Sequence, residues 1–169
     1  VFTYDFGIKY NILRIMNNLG MSVTVITWNT NLEEVKGMNP HGISLSNGPG
    51  EPAAVNEAVE AVRKLLGKLP IFGICLGYQI LSLALGCQTY KLACGKHGGN
   101  HPVIDFSINK IENTSHNHGF SVDEKSLPKN VSVRHRNLID KTIEDIESLI
   151  HSAFSVQYHP EVSLGPRDA

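Results

Sequence analysis

The sequence predicts an α/β fold in which helices flank a doubly wound, mostly parallel sheet, with additional antiparallel strands in the second half. Two observations support this prediction. From residue 1 to residue 85, short apolar runs alternate regularly with segments of helical periodicity, as in right-handed strand–helix–strand units. After Gly86 the helical pattern stops, and short β-type runs separated by turn residues follow it.

The elements of the first half follow from the apolar runs and the residues that interrupt them. Strands are predicted where the runs are short and rich in β-branched residues, at 1–4, 22–27, 43–46 and 70–74. Helices are predicted where apolar residues recur every three or four positions, at 9–19, 53–66 and 76–85. Gly20 and Gly86 end the first and the last of these helices, since glycine readily adopts the left-handed conformation found there.

The second half is predicted to contribute short strands at 103–111, 120–122, 131–133 and 153–158. No internal repeat, low-complexity tract or linker interrupts the pattern, so residues 1–169 are interpreted as one domain. In a parallel sheet, sites form in the loops beyond the carboxyl ends of the strands. Both Cys75 and the Asn47-Gly48-Pro49-Gly50 turn follow predicted strands.

Composition excludes several classes of protein. The 169 residues are 41% hydrophobic and 18% charged, with a net charge of -1, which is typical of a globular protein without a nucleic-acid surface or a membrane span. Cys75, Cys87 and Cys94 form an odd set without C-x-x-C spacing, so neither a disulfide framework nor a zinc site is expected, and a cytoplasmic location is favoured. Because Val1 is not Met and begins inside an apolar run, the chain is expected to be a fragment of a longer one, and an organelle remains an alternative location.

The segment Phe72-Gly73-Ile74-Cys75-Leu76-Gly77-Tyr78-Gln79 is the most informative motif. A nucleophile between two near glycines, after a strand and before a helix, is typical of a nucleophile elbow. The glycines allow backbone to pack closely around a strained turn. The amino end of the following helix is expected to favour the thiolate of Cys75. Cys87 and Cys94 lack this context and are interpreted as structural.

A possible base lies far downstream, in His159-Pro160-Glu161. Proline favours extended backbone at the residue before it, and residues two apart in extended backbone point to the same side. Glu161 is therefore expected to hold the imidazole of His159 and to stabilise its charged form, as the carboxylate does in a catalytic triad.

Gly48 and Gly50, on either side of Pro49, permit two interpretations. A phosphate-binding loop is disfavoured, because no Gly-Lys-Ser/Thr follows and Glu51 would repel a phosphate. An oxyanion hole fits better, with the N–H groups of Gly48 and of Leu76 as its donors; one such donor typically contributes about 3 kcal/mol.

Two further stretches, Gly98-Gly99-Asn100-His101-Pro102 and Asn117-His118-Gly119-Phe120, are dense in glycine, asparagine and histidine. By composition alone they are interpreted as turns. No second cluster of cysteines or carboxylates lies at ligand spacing, so no metal site is predicted.

These motifs together resemble the class I, or triad, glutamine amidotransferases over essentially the whole chain. Three segments match general motifs of that family: Leu45-Ser46-Asn47-Gly48-Pro49-Gly50-Glu51-Pro52, 72–79 and 157–161. Four segments look like the glutaminase part of carbamoyl-phosphate synthetase, either a small subunit or its fused equivalent. They are the two glycine- and histidine-rich stretches (98–102 and 117–120), the segment Tyr4-Asp5-Phe6-Gly7-Ile8-Lys9, and the tail Gly165-Pro166-Arg167-Asp168.

The resemblance implies a glutaminase that forms a γ-glutamyl thioester on Cys75, with His159 and Glu161 completing the triad. It implies oxyanion donors at Gly48 and Leu76, and the glutamine-binding positions map onto Gly48, Gly50, Leu76, Gln79, Asn117, Gly119 and Phe120. Ammonia would pass to a large synthetase subunit that uses bicarbonate, ATP and Mg²⁺, so no cofactor is expected in this chain. Either pyrimidine or arginine synthesis could use the product.

Some residues depart from the family pattern. Tyr78 stands where His is common and His116 where Gln often precedes Asn117, while Val162 and Leu164 replace smaller residues or Pro. The amino-terminal domain of the small subunit is also absent, so weak activity of the isolated chain is expected. Alternative hypotheses are the glutaminase of another amidotransferase, a cysteine peptidase or amidase of similar fold, and a catalytically silent docking domain.

Overall fold

The first half of the chain folds as the alternating pattern predicts. The structure, a computed structural model, describes residues 1–162, so Leu164 and the 165–168 motif lie outside the described residues. Its strands are β1 (Phe2–Asp5), β2 (Thr24–Thr27), β3 (Ile43–Leu45) and β4 (Ile71–Ile74). Its helices are α1 (Tyr10–Asn18), α2 (Leu32–Gly37), α3 (Asn56–Leu65) and α4 (Leu76–Ala84).

Helix α2 was not predicted from the sequence. It has six residues and buries only Val35, so it carries little apolar periodicity. Its amino terminus does carry a local signal, because the Asn31 side chain accepts a hydrogen bond from the Glu34 N–H at 2.9 Å and donates one to the Glu34 carboxylate at 2.7 Å. The first of these bonds satisfies a backbone donor that a helix start otherwise leaves unpaired.

The second half contains β5 (Thr89–Asp105), β6 (Lys110–Val122), β7 (His135–Asn137), β8 (Asp145–Ser148) and β9 (Ala153–Val156). The predicted strand 103–111 is wrong, because residues 106–109 form the turn that joins β5 to β6, with Asn109 in the left-handed region at φ 53°. The predicted strand 131–133 is reduced to an isolated bridge between Ser132 and Glu147. The 98–102 and 117–120 stretches, expected to be turns, lie within β5 and β6.

The strands form two sheets. In the larger, the order is β2-β1-β3-β4-β9-β8, with parallel pairing from β2 to β9 and β8 antiparallel at the edge. The smaller sheet is antiparallel, in the order β6-β5-β7. The predicted α/β class, with antiparallel strands added in the second half, is therefore confirmed. No helix within residues 1–162 is long and apolar enough to cross a membrane.

The core lies on both faces of the larger sheet. On one face, α3 and α4 pack against apolar residues of β1, β3 and β4, including Tyr4, Leu45 and Ile71. On the other face, Ile12 and Met16 of α1 pack against Ile74 at the end of β4. Because β3, β4 and β9 are adjacent and parallel, the segments that follow them, which contain Gly48, Cys75 and His159, lie at the same edge of the sheet.

Candidate active site

Cys75 lies on the sharp turn between β4 and α4. Its backbone has φ 55° and ψ -102°, a strained conformation that a non-glycine residue adopts only where its surroundings enforce it. Those surroundings include the two flanking glycines. A Cβ on Gly73 would lie 2.6 Å from the Gly77 carbonyl oxygen, and one on Gly77 would lie 2.2 Å from the Leu45 carbonyl oxygen. The glycine spacing therefore allows α4 to begin directly against β3 and β4.

His159 and Glu161 form a buried pair beyond β9. The His159 Nδ1 atom lies 2.8 Å from the Glu161 Oε1 atom, and their side chains are 3% and 2% exposed. The expected extended backbone is wrong: β9 ends at Val156, and residues 159–162 turn so that the Val162 N–H donates to the His159 carbonyl. The turn still brings the carboxylate to the imidazole, and the predicted pairing is present.

Lys9 is a third member of this group that sequence reasoning missed. Its Nζ atom lies 3.3 Å from His159 Nδ1 and 3.4 Å from Glu161 Oε1. The shorter contact between His159 and Glu161 assigns the Nδ1 proton to a bond that His159 donates to the carboxylate, which leaves Nε2 as the free ring nitrogen. Burial opposes ionisation of Glu161, but the bond from His159 and the nearby positive charge of Lys9 outweigh it, so the pKa of Glu161 is lowered.

A cavity of about 350 Å³ lies at this edge of the sheet. It brings together the thiol, the imidazole, the glycine turn after β3 and the end of the β5–β6 hairpin. Its lining residues are Lys9, Asn47, Gly48, Pro49, Gly50, Cys75, Leu76, Gln79, His97, Asn117, His118, Gly119, Phe120 and His159. All the predicted site residues are in this lining except Glu161, which lies behind His159.

The cysteine thiol is not held ionised as was expected from the sequence. Cys75 is 3% exposed and packs beside Ile12, Met16 and Ile74. Burial raises the pKa of Cys75 to about 12, although the Leu76 N–H at the start of α4 acts in the opposite direction. The effect of desolvation on the thiol pKa is thus larger than that of the helix terminus, because one backbone hydrogen bond does not replace the solvation that a buried thiolate loses. Ionisation of this thiol therefore requires transfer of its proton to a nearby base.

The two backbone N–H groups predicted as oxyanion donors belong to residues that line the cavity. Leu76 follows Cys75 and begins α4. Gly48 is held against the end of β1, since a Cβ there would lie 2.2 Å from the Phe6 carbonyl oxygen. Among residues 1–162, neither N–H donates to a backbone carbonyl, and the Leu76 N–H acts on the Cys75 thiol.

The Gln79 amide is fixed by two hydrogen bonds. Its Nε2 group donates to the Phe120 carbonyl at 3.1 Å and to the Gln157 side-chain oxygen at 2.9 Å. The side-chain oxygen of Gln79 is thereby directed to the cavity as an acceptor. Gln157 is fully buried and supports Gln79, a role that was not assigned from the sequence.

Three more cavity residues were missed, and each is linked to another residue that lines the cavity. The Asn47 Oδ1 atom accepts a hydrogen bond from the Lys9 N–H at 3.0 Å. The His97 Nδ1 atom lies 2.8 Å from the Asn117 Oδ1 atom. The His118 Nδ1 atom lies 2.8 Å from the Phe120 carbonyl. Asn47 and His118 belong to the motifs, but only the tertiary structure shows that their side chains support the cavity.

A buried polar cluster adjoins the cavity and includes atoms that could bind a metal ion. His116, His118 and Glu144 each offer one ligand atom, and these atoms lie within 4.8 Å of one another. Burial lowers the pKa of His116 to about 2 and that of His118 to about 4. Both imidazoles are therefore neutral at physiological pH.

Comparison with known proteins defines the class to which this fold and site belong. A family profile described as class-I glutamine amidotransferase matches residues 2–169. The chain belongs to the class-I glutamine amidotransferase family.

Within that family, the chain is similar to carbamoyl phosphate synthase small chains. It is 52% identical over 172 residues to the one from Chlorobaculum tepidum, an alignment that covers 100% of this chain and 47% of that protein. It is 53% identical over 169 residues to the one from Pasteurella multocida, covering 99% of this chain and 44% of that protein. The chain thus spans less than half the length of these curated relatives.

Solved structures support the fold. A putative GMP synthase protein from Thermoplasma acidophilum superposes with a TM-score of 0.82 at 19% identity, covering 95% of this chain and 83% of that one. A glutamine amidotransferase from Thermotoga maritima superposes with a TM-score of 0.71 at 19% identity, covering 96% and 76%. At this level of identity the likeness extends to the architecture alone.

Proposed function

We propose that this chain hydrolyses glutamine to glutamate and ammonia through a γ-glutamyl thioester on Cys75. The observation that carries the proposal is the cavity itself. A strained cysteine, an imidazole bonded to a carboxylate, and two N–H groups that donate to no backbone carbonyl belong to residues at one cavity within residues 1–162. That combination is what acyl transfer requires: a nucleophile, a base with its orienting group, and oxyanion donors.

The first half of the reaction forms the thioester. The thiol proton passes to Nε2 of His159 as the sulfur attacks the amide carbon, and Glu161 stabilises the imidazolium that results. The carbonyl oxygen becomes an oxyanion, which the N–H groups of Gly48 and Leu76 bind. When this intermediate collapses, the C–N bond breaks and His159 returns the proton to the departing nitrogen, which leaves as ammonia.

The second half releases glutamate. A water molecule attacks the thioester carbon while His159 accepts its proton, and the same two donors bind the second oxyanion. The C–S bond then breaks and the sulfur recovers a proton from His159. Since burial raises the pKa of Cys75 to about 12, the sulfur leaves as a thiol, and the resting enzyme returns to its neutral form.

Glutamine specificity is assigned to polar groups around the same cavity. The Gln79 side-chain oxygen is oriented to accept a hydrogen bond from the substrate. Gly50, Asn117, Gly119 and Phe120 also line this cavity. At Gly119 a Cβ would meet no atom within 4 Å, so the absent side chain leaves space for substrate.

We further propose that residues 1–169 form one glutaminase domain that supplies ammonia to a carbamoyl phosphate synthase large subunit in the cytoplasm. The similarity to small chains supports this proposal. ATP, Mg²⁺ and bicarbonate would be used by that partner. The glycine turn at the cavity is not a phosphate-binding loop of the Gly-Lys-Ser/Thr kind.

The test is glutamate release from glutamine by the purified chain. We expect activity to be abolished by Cys75→Ser and retained in Cys94→Ser, because Cys94 is exposed and outside the cavity. A glutamine analogue with an electrophile at the amide carbon should modify Cys75, as mapped by peptide mass spectrometry. Full activity in Cys75→Ser, or a label on Cys94 instead, would refute the glutaminase proposal.

The partner proposal has a separate test. Adding a purified large subunit should raise glutamine hydrolysis and support glutamine-dependent synthesis of carbamoyl phosphate. If the chain hydrolyses glutamine but neither binds nor responds to that subunit, the partner is wrong and the glutaminase stands.

A further inference from the structure

Three buried side chains that take no part in the proposed chemistry converge between β6 and β8. They are His116, His118 and Glu144, which are 1%, 6% and 0% exposed. The His116 Nδ1 atom lies 3.0 Å from His118 Nε2 and 3.7 Å from Glu144 Oε2. The Glu144 Oε2 atom has no hydrogen-bond partner among residues 1–162. A buried carboxylate oxygen without a donor costs free energy unless something binds it.

The outer hydrogen bonds determine which ring nitrogens carry hydrogen. The His118 Nδ1 atom lies 2.8 Å from the Phe120 carbonyl, which can only accept, so this nitrogen is the donor and Nε2 keeps its lone pair. The Thr114 hydroxyl donates to the His101 carbonyl at 2.9 Å and lies 2.7 Å from His116 Nε2. That hydroxyl therefore accepts from His116 Nε2–H, and His116 Nδ1 also keeps its lone pair.

Two nitrogen lone pairs and one carboxylate oxygen consequently point at the same small region. If His116 instead carried its hydrogen on Nδ1, it would donate to His118 Nε2, and its Nε2 atom would accept from the Thr114 hydroxyl. The Thr114 hydroxyl would then no longer donate to the His101 carbonyl. This arrangement would also leave Glu144 Oε2 without a partner. A Lewis acid bound between the three atoms would accept an electron pair from each of them.

We propose that His116 Nδ1, His118 Nε2 and Glu144 Oε2 bind one divalent transition-metal ion of the Zn²⁺ type. Neutral imidazoles and a carboxylate are a donor set that suits Zn²⁺ and Co²⁺, not Ca²⁺ or Mg²⁺. Ligand atoms of a tetrahedral ion lie about 3.3 Å apart when the bonds are about 2.0 Å. The His116 Nδ1 atom lies 3.0 and 3.7 Å from the other two ligand atoms, and all three lie within 4.8 Å of one another, so the side chains must move closer together to bind the ion. Thr114 and the Phe120 carbonyl orient the two rings from outside, as is usual for ligating histidines.

No metal site was predicted from the sequence, because the ligands were sought at short spacing along the chain. Here two ligands are alternate residues of β6, and the third comes from the segment before β8. His116 is also a position where the family often has Gln. The proposed site therefore includes one departure from the family pattern and does not follow from the glutaminase chemistry.

Lys96 is the group that opposes the metal ion. Its Nζ atom lies 2.6 Å from the Glu144 Oε1 atom and 3.1 Å from the Asp140 carboxylate. Lys96 thus occupies one oxygen of Glu144 and leaves the other for the ion. Asp140 offsets part of the lysine charge.

The experiment is titration of the full, reduced chain with Co²⁺ and Zn²⁺. We expect one Co²⁺ per chain, with the visible absorption bands of a four-coordinate ion, and displacement of Co²⁺ by Zn²⁺. His116→Gln keeps hydrogen-bonding capacity and Glu144→Gln keeps shape, and each should weaken Zn²⁺ affinity at least about tenfold. His41→Gln, at an exposed imidazole outside the cluster, is the matched control and should bind as the parent does. Thermal unfolding without metal establishes that each variant is folded.

The outcomes separate this site from others. If folded His116→Gln and Glu144→Gln bind Zn²⁺ as tightly as the parent, or if the parent binds none at micromolar concentrations, the proposal is wrong. Loss of binding in Cys75→Ala alone would assign the ion to the thiol and overturn the proposal. His118 also lines the glutamine cavity, so an effect of Zn²⁺ on hydrolysis is expected. That effect rests on the proposed function, whereas the binding measurements do not.

Discussion

Gly77→Ala is the substitution that most directly probes how the fold supports the cysteine. The Gly77 N–H donates to the Ser46 carbonyl at 3.1 Å, which holds the first turn of α4 against the end of β3. A Cβ at this position would lie 2.2 Å from the Leu45 carbonyl oxygen and 2.7 Å from its carbonyl carbon. Both are backbone atoms of a central strand, so no side-chain rotation can relieve the contact.

The expected loss of stability can be estimated from this contact. The helix and the strand must separate by about 0.8 Å to reach 3.0 Å, a distance below which real Cβ contacts are essentially absent. Overpacking of a core typically costs about 1–3 kcal/mol, and a clash with rigid backbone belongs at the upper end. At about 2–4 °C per kcal/mol for a domain of this size, a cost of about 3 kcal/mol lowers Tm by about 6–12 °C.

The assay is thermal unfolding followed by circular dichroism, with Gly37→Ala as the matched control. Gly37 is also helical, and a Cβ there meets no atom within 4 Å. Alanine should therefore stabilise this position by about 0.5–1 kcal/mol. A Tm for Gly77→Ala within about 2 °C of the parent would refute the argument that close backbone contact explains the second glycine of the elbow.

Three further predictions follow from the site and its surroundings. Glu161→Gln removes the charge that holds the His159 ring, so kcat for glutamine should fall at least about 100-fold with KM little changed; an unchanged kcat would exclude the proposed role. Burial raises the pKa of Cys75 to about 12, against an ordinary 9.0. At pH 8, Cys75 forms about 1000-fold less thiolate than free cysteine does, but its thiolate is about 20-fold more nucleophilic. Iodoacetamide should therefore react with Cys75 about 50-fold more slowly than with free cysteine. A rate that levels off below pH 9 would contradict the raised pKa. The contact with Asp145 raises the pKa of His135 above 6.5, so its stabilisation is complete below pH 6.5 and is lost as pH rises through the folded-state pKa. His135→Gln should therefore reduce the free energy of unfolding more at pH 5.5 than at pH 9 in urea titrations, and equal losses at both would show that His135 stabilises by packing alone.

The parallel half of the fold was predictable because its signals are local. Apolar runs and helical periodicity are written into consecutive residues, and Gly20 and Gly86 interrupt them where helices end. The β5–β6 hairpin was not predictable in the same way. Its strands are polar and rich in glycine, and their register shifts between Lys91 and Lys96 and again between Gly98 and His101. Such pairing is determined by contacts between strands, not by alternation within one.

The residues of the candidate site differ in the same way. Cys75 and His159 could be proposed from the sequence because a strained turn and a His-Pro-Glu segment leave short sequence signatures. Lys9 and His118 were missed, since only tertiary structure brings them to the cavity. The expected thiolate was wrong for a related reason: the helix terminus can be inferred from sequence, but the burial that outweighs it cannot.

The place of β9 in the larger sheet also constrains when the proposed reaction can first occur during synthesis. The strand lies between β4 and β8, and the imidazole follows it, more than 80 residues after the nucleophile. At about 5–20 residues per second, a ribosome needs several seconds to add that stretch. Throughout this interval the nascent polypeptide has Cys75 but lacks His159, so by the proposed mechanism it cannot yet form the thioester.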